Sequence, residues 1–366
     1  VHSLVKSEMP LLKDNEVLIR IAYVGVCATD IEVANGSLSY YTDGKAQFPI
    51  TPGHEYSGII VKVGGKVNRF KPGDAVVGEC AIGCNTCYWC LRDEQYRCPD
   101  RKEVGVVNMD GAYASYMKLP SKYLHKLPVE ITLQQGALIE PTAVCIKGIS
   151  KLMLDSMRND VQACVFGAGP IGNLCCQLLT YHGIQVTVVD PNQDRLKLVE
   201  KYDANTTTSI GDLSIFSYII EATGNESLIP TLIENSRAST KILLLGLPYS
   251  PQVSVGFSSV ATYDKEIYGS IASQKYDWDR AIRLVQRGAI NLEDHSQTVM
   301  ALEEYNGAWD SLLSNKVFKI LINVAPDLRN LYHRAHIQNQ VYNQLYLVLY
   351  LLLCISLPRI VGTWLH

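Results

Sequence analysis

Ala163-Cys164-Val165-Phe166-Gly167-Ala168-Gly169-Pro170-Ile171-Gly172 is the stretch on which the fold turns. Its first four residues form an apolar run suited to a buried strand. The next six spell G-x-G-x-x-G, and Ile171–Tyr181 continues as a helix-like stretch. Glycines there permit a tight turn and close approach of a pyrophosphate, and the helix start presents N–H groups to it. A second apolar run, Val186–Val189, ends on Asp190, eighteen residues beyond Gly172. A carboxylate at that distance accepts hydrogen bonds from an adenosine ribose and repels a 2′-phosphate, which favours NAD over NADP. Arg195 lies five residues into the following helix and is expected to flank the adenosine.

Outward from this unit, Tyr218–Ile220 and Ile242–Leu245 are further apolar runs, alternating with helix-like stretches such as Asp194–Tyr202. That alternation predicts a parallel, doubly wound α/β sheet between Asp160 and Gly246. The first 140 residues read differently, as short β runs (Val17–Val24, Gly58–Val63, Ala75–Gly78) bounded by Gly, Pro, Asn and Asp. An amphipathic piece, Trp278–Arg287, leads to a last strand at Lys319–Val324.

Composition limits the function classes. With 33 basic against 36 acidic residues and 47% hydrophobic residues in 366, the chain is neither a nucleic-acid-binding polycation nor a disordered acidic tail. The length suggests two domains at roughly 150 residues each. Val1–Ile19 holds no apolar signal segment, and eleven cysteines are too few for a disulfide scaffold, so a cytoplasmic protein is expected. The stretch 325–366 is odd: Leu345–Ile355 is continuously apolar. It is shorter than the ~20 residues of a spanning helix, so membrane insertion is not expected and its role is left open.

Cys84, Cys87, Cys90 and Cys98 stand at C-x2-C-x2-C-x7-C. Thiolates so spaced on one loop converge on a single ion, and four of them close a tetrahedral zinc shell with no position for water, a structural site. Buried free thiols or a disulfide pair are the competing reading, and Cys80 is a spare. A second, mixed set is scattered: Cys27 after an apolar strand, His54 and Glu55 after Pro52-Gly53, and Glu140 before Pro141. One thiolate, one imidazole and one or two carboxylates suit a zinc site that keeps an open position, and Asp30 could orient His54 through its second ring nitrogen. By spacing alone a lone Cys27 is more often a core thiol and a lone Glu140 more often a solvated helix start.

Gly53 to Val67 reads G-H-E-Y-S-G-I-I-V-K-V-G-G-K-V and resembles the G-H-E-x2-G-x5-G-x2-V signature of zinc-containing alcohol dehydrogenases. Cys27, the four-cysteine lobe and the Gly167 loop follow in that family's order. Glu140-Pro141-Thr142-Ala143-Val144 is similar to the E-P-x-x-V segment of the sorbitol (polyol), threonine and sugar dehydrogenase branch.

The resemblance implies a Rossmann domain (144–271) inserted into a mostly β, GroES-like catalytic domain (1–143 and 272–324), with a structural zinc lobe at 80–100. It implies two zincs per chain. Cys27 and His54 bind the catalytic one, with Glu55 or Glu140 as third protein ligand. It implies NAD contacts at the Gly167, Gly169, Pro170, Ile171 and Gly172 loop, Asp190, Arg195, Leu245-Gly246-Leu247 and Ile271-Ala272-Ser273.

The implied reaction is reversible NAD-linked oxidation of a secondary alcohol, a polyol first, threonine or a sugar next. Thr29 begins a proton relay, unless its hydroxyl only caps a turn. A homodimer or homotetramer is implied, and the family's first strand is expected to be cut short before Val1. A different class, an inactive nucleotide-binding or structural homologue, stays open; loss of a zinc ligand would favour it.

Overall fold

The computed structural model describes residues 2–155, 161–248, 252–314 and 317–328. Two compact units divide the chain, Val1–Val324 and Ala325–His366. Of the second, only 325–328 are described, where the Leu328 N–H donates to the Ala325 carbonyl at 3.1 Å. The apolar run Leu345–Ile355 lies outside the described residues. Among the described residues no helix is long and apolar enough to cross a membrane.

In the first unit the chain runs β1 (Glu16–Gly25), α1 (Ala28–Asn35), α2 (Ser39–Thr42), β2 (Glu55–Val63), β3 (Ala75–Gly78), β4 (Ala81–Ile82), β5 (Lys102–Val104) and β6 (Asn108–Met109). It continues through β7 (Tyr116–Pro120), β8 (Leu124–Lys126), α3 (Leu133–Gly136) and α4 (Ile139–Lys151). Strands β9 (Gln162–Phe166), β10 (Gln185–Val189), β11 (Asn205–Thr207), β12 (Tyr218–Glu221), β13 (Lys241–Leu244) and β14 (Glu266–Gly269) then alternate with α5 (Pro170–Tyr181), α6 (Gln193–Glu200), α7 (Leu228–Asn235) and α8 (Ser258–Thr262). The end is α9 (Lys275–Gln286), β15 (Thr298–Ala301), α10 (Tyr305–Leu313) and β16 (Ile320–Asn323).

Two large sheets organise these elements. One has the order β15-β16-β1-β2-β3-β8 with β7 also on β1, and it is mixed, mainly antiparallel. Nearly all of β1 is buried, because β2, β7 and β16 all pair with it. Its continuous apolar run is therefore a central strand rather than a half-exposed one. The other sheet, β11-β10-β9-β12-β13-β14, is parallel throughout. Its short apolar strands are covered by helices, as a parallel sheet requires.

The doubly wound α/β expectation therefore holds, and β15 and β16 join the first sheet beside β1. The expected boundary at 143/144 falls inside α4, a helix running from one part of the fold to the other. α6 ends at Glu200, short of the expected Tyr202, where Asp203 takes a left-handed turn at φ 57°. α9 is amphipathic as read, with Trp278, Ala281, Ile282, Leu284 and Val285 on its buried side.

Candidate metal centres and dinucleotide loop

Cys27 is the residue before α1, and Asp30, in the first turn of that helix, folds back on it. The Asp30 carboxylate accepts the Cys27 N–H at 2.9 Å and the Gly53 N–H at 3.2 Å. It also lies 3.2 Å from His54 Nδ1. With Nδ1 facing Asp30 at ion-pair distance, Nε2 is the ring nitrogen left for a metal. Burial pulls the His54 imidazole down, but the Asp30 and Cys27 charges outweigh it and hold the group well above its usual range.

Glu55 opens β2 opposite Gly25 of β1. A Cβ at Gly25 would stand 2.0 Å from Glu55 Oε2, so only glycine leaves room for this carboxylate. The donor atoms of Cys27, His54 and Glu55 lie within 4.8 Å of one another. Thiolate, imidazole and carboxylate in one pocket are a donor set that zinc accepts. Glu140, in the first turn of α4, is buried but outside this group. Burial raises its carboxyl, with His54 lowering it and Glu55 raising it further, so it feels the same centre.

Sequence reasoning missed Lys319. Its buried ammonium donates to Glu55 Oε1 at 2.7 Å and to the Val26 carbonyl at 2.9 Å. A single lysine in Val317-Phe318-Lys319-Ile320-Leu321 was the available signal, a charge in an otherwise apolar strand. Thr29 is half-buried, two residues past Cys27 in the first turn of α1. The spare Cys80 donates its thiol to the His54 carbonyl at 3.1 Å.

The four lobe cysteines also converge within 4.8 Å. Cys84 and Cys90 sulfurs stand 4.0 Å apart, far beyond a disulfide bond, and all four thiols are free. Backbone N–H groups point at the sulfurs, from Cys84 to Cys98 and from Cys87 to Cys84, each at 3.4 Å. Such donors favour the thiolate, and the Cys84 thiol is lowered by its bonds from Thr86 and Cys87. A closed tetrahedral zinc site fits this geometry.

The Gly167 loop leaves β9 where the strand order reverses between β9 and β12, the place at which parallel sheets bind ligands. Gly167 has φ 98°, and a Cβ at Gly172 would meet the Gly167 carbonyl at 1.7 Å. Over Gly169 the space is open, with Arg195 Nη1 alone at 4.0 Å. Arg195 therefore overlooks the loop itself. No side chain caps α5, so its first N–H groups remain for a ligand. Asp190 accepts the Ala168 N–H at 2.7 Å and the Asn192 N–H at 2.8 Å, which staples the loop to the end of β10. Each oxygen keeps a lone pair for a sugar hydroxyl.

Leu245, Gly246 and Leu247 follow β13, and Ile271, Ala272 and Ser273 follow β14, at the same carboxyl edge of the sheet. Gly246 is required there, since a Cβ would stand 2.1 Å from the Gly224 nitrogen. α4 joins the two regions: Glu140 at its start senses His54, and the Cys145 thiol further along donates to the Ile171 carbonyl at 3.7 Å. Two other contacts went unread in the sequence, His295 against Pro170 and Lys147 against Ile271.

Residues 13–129 match the family model of the alcohol dehydrogenase GroES-like domain, and residues 133–323 match that of the glucose dehydrogenase C-terminus. The chain is 29% identical over 338 residues to D-arabinitol dehydrogenase 1 of Uromyces fabae, covering 87% of this chain and 93% of that protein. It is 28% identical over 343 residues to D-xylulose reductase A of Aspergillus niger, covering 88% and 94%. Galactitol-1-phosphate dehydrogenase from Escherichia coli has a similar structure, with TM-score 0.75, 25% identity, and coverage of 87% of this chain and 96% of that one.

Proposed function

The chain belongs to the family of alcohol dehydrogenases built on a GroES-like domain, and from that premise we propose that it catalyses reversible NAD-linked oxidation of a polyol's secondary alcohol to the ketone. The observation that carries this reading is α4, which links the convergent Cys27, His54 and Glu55 to the Gly167 loop.

When bound, zinc supplies Lewis acidity to the substrate hydroxyl and the nicotinamide accepts a hydride. Cys27 and His54 would hold the catalytic metal, with Glu55 or Glu140 as third ligand, and Cys84, Cys87, Cys90 and Cys98 a structural one. Asp30 fixes the His54 ring. Lys319 offsets the Glu55 charge, so that two buried carboxylates tolerate each other beside the thiolate. Thr29 Oγ1 would accept the proton that leaves the alcohol while passing its own hydroxyl proton on towards solvent, as the first member of a relay. Gly169 and the start of α5 receive the pyrophosphate, with Arg195 beside it, and Asp190 receives the ribose, which favours NAD over NADP.

The match to a glucose dehydrogenase C-terminus favours a sugar as second substrate class. A homodimer or homotetramer in the cytoplasm is the setting that the resemblance implies. Metal analysis and a screen of polyols, sugars and threonine, following absorbance of the reduced cofactor, test the proposal. Two zincs per chain with NADH produced from a polyol is the expected result. Zinc in the cysteine lobe alone, with no turnover of any alcohol, defeats it; equal or better rates with NADP defeat the role of Asp190.

A further inference from the structure

Lys147, in the middle of α4, is buried at 5% exposure and has no carboxylate within ion-pair distance among the described residues. Its ammonium sits 3.3 Å from the centre of the Tyr96 ring and donates to the Ile271 carbonyl. Tyr96 belongs to the four-cysteine lobe, two residues before Cys98; Ile271 begins the segment after β14 at the carboxyl edge of the parallel sheet. One helical turn on, Lys151 donates to the Gly269 carbonyl. Ile271 is 49% exposed, Ala272 is held at φ 55°, and Ser273 is buried again.

A buried amine with one carbonyl and one aromatic face as partners is a poor stabiliser. Desolvation of an ammonium costs more than one hydrogen bond returns, and apolar replacements of such groups are often neutral or stabilising. Burial, with Lys151 and Arg97 adding like charge against Asp277 and Glu94, lowers this amine to about 7. What the arrangement does supply is a fixed distance between three separate pieces of chain.

We propose that Lys147 is a positioning residue through which the four-cysteine lobe sets the cofactor segment Ile271–Ser273: the Tyr96 ring fixes the amine, and the amine fixes the Ile271 carbonyl. The proposal rests on the reading of that edge as the dinucleotide site. It gives the lobe a part in cofactor binding besides stabilising its own loop.

The test is NADH titration by fluorescence and thermal melting of the full-length, zinc-loaded protein. Lys147→Met weakens NADH binding about tenfold, the loss of one buried anchoring contact, while the melting midpoint does not fall. Tyr96→Leu, with its zinc content intact, weakens NADH comparably, and the double variant binds no worse than the weaker single one. A merely structural role predicts the opposite pattern, a lower melting midpoint with unchanged affinity in Lys147→Met, and that result overturns the proposal. Additive losses in the double variant overturn the link to the lobe. Wild-type protein that binds neither NADH nor NADPH overturns the dinucleotide reading and the proposal with it, and so separates the two failures.

Discussion

Asp30 is wholly buried, and four groups converge on its carboxylate: the Cys27 and Gly53 N–H groups, His54 Nδ1 and, at 3.5 Å, the Tyr113 hydroxyl. These contacts turn a charge that would be costly alone into the device that sets both the thiolate loop and the imidazole. Asp30→Asn keeps the shape and removes the charge. Affinity for the catalytic zinc should drop by about 10–100-fold. Competition against a chelator measures it, with the lobe zinc as internal control; equal loss at both sites would point to general unfolding instead. The role of Asp30 beside His54 was readable from its place three residues after Cys27. Lys319 was not, because its partner Glu55 lies 264 residues away.

Among the elements, the four-cysteine lobe depends most on its ligands. Between β3 and β5 it has only the two-residue β4 and two short turns of 3-10 helix, Cys90–Arg92 and Gln95–Arg97. Regular hydrogen bonding therefore contributes little, and a metal would supply the cross-links. Cys98 is wholly buried and accepts the Cys84 N–H. Cys98→Ser should remove one zinc per chain and lower the melting midpoint by roughly 5–10 °C. Zinc content and a melting curve both unchanged would contradict the structural assignment. Four of the parallel strands, β9, β10, β12 and β13, were legible because each is an apolar run beside turn residues; β11, Asn-Thr-Thr, and β14, Glu-Ile-Tyr-Gly, carry no such run. The two-residue strands β4 and β6 were not legible either, since two residues are too few to display a periodicity.

At the scale of the first unit, the segments flanking the parallel sheet meet it through buried polar contacts. His295 lies in the flank after α9, and its Nε2 stands 3.2 Å from the Pro170 carbonyl at the start of α5. Its ring meets Phe318 edge-on, with centroids 4.9 Å apart. Burial lowers this imidazole to about 4, and Lys319 and Lys201 push the same way against Asp294 and the Pro170 bond. The folded protein thus takes up the proton at lower pH than the unfolded chain. Above about pH 6.5 the group costs nothing; between there and about pH 4 stability is lost progressively, by roughly 3 kcal/mol at the limit. The wild-type melting midpoint should fall across that interval, and His295→Gln should flatten the fall. Parallel curves for the two proteins would remove His295 from the account.

The sequence by itself determined the parts that are local. The glycine loop between strand and helix, the alternation that makes a parallel sheet, and four cysteines within fifteen residues all constrain geometry over a few bonds of chain. Over such spans backbone stereochemistry leaves few alternatives, so residue spacing is already distance. The tertiary structure decided what depends on register between remote strands. Gly25 opposite Glu55, Lys319 beneath that glutamate, and α4 reaching from His54 to the Gly167 loop and the cysteine lobe exist only after the sheets pair. No spacing rule reaches across hundreds of residues, because the distance between such groups is set by packing and not by the chain between them.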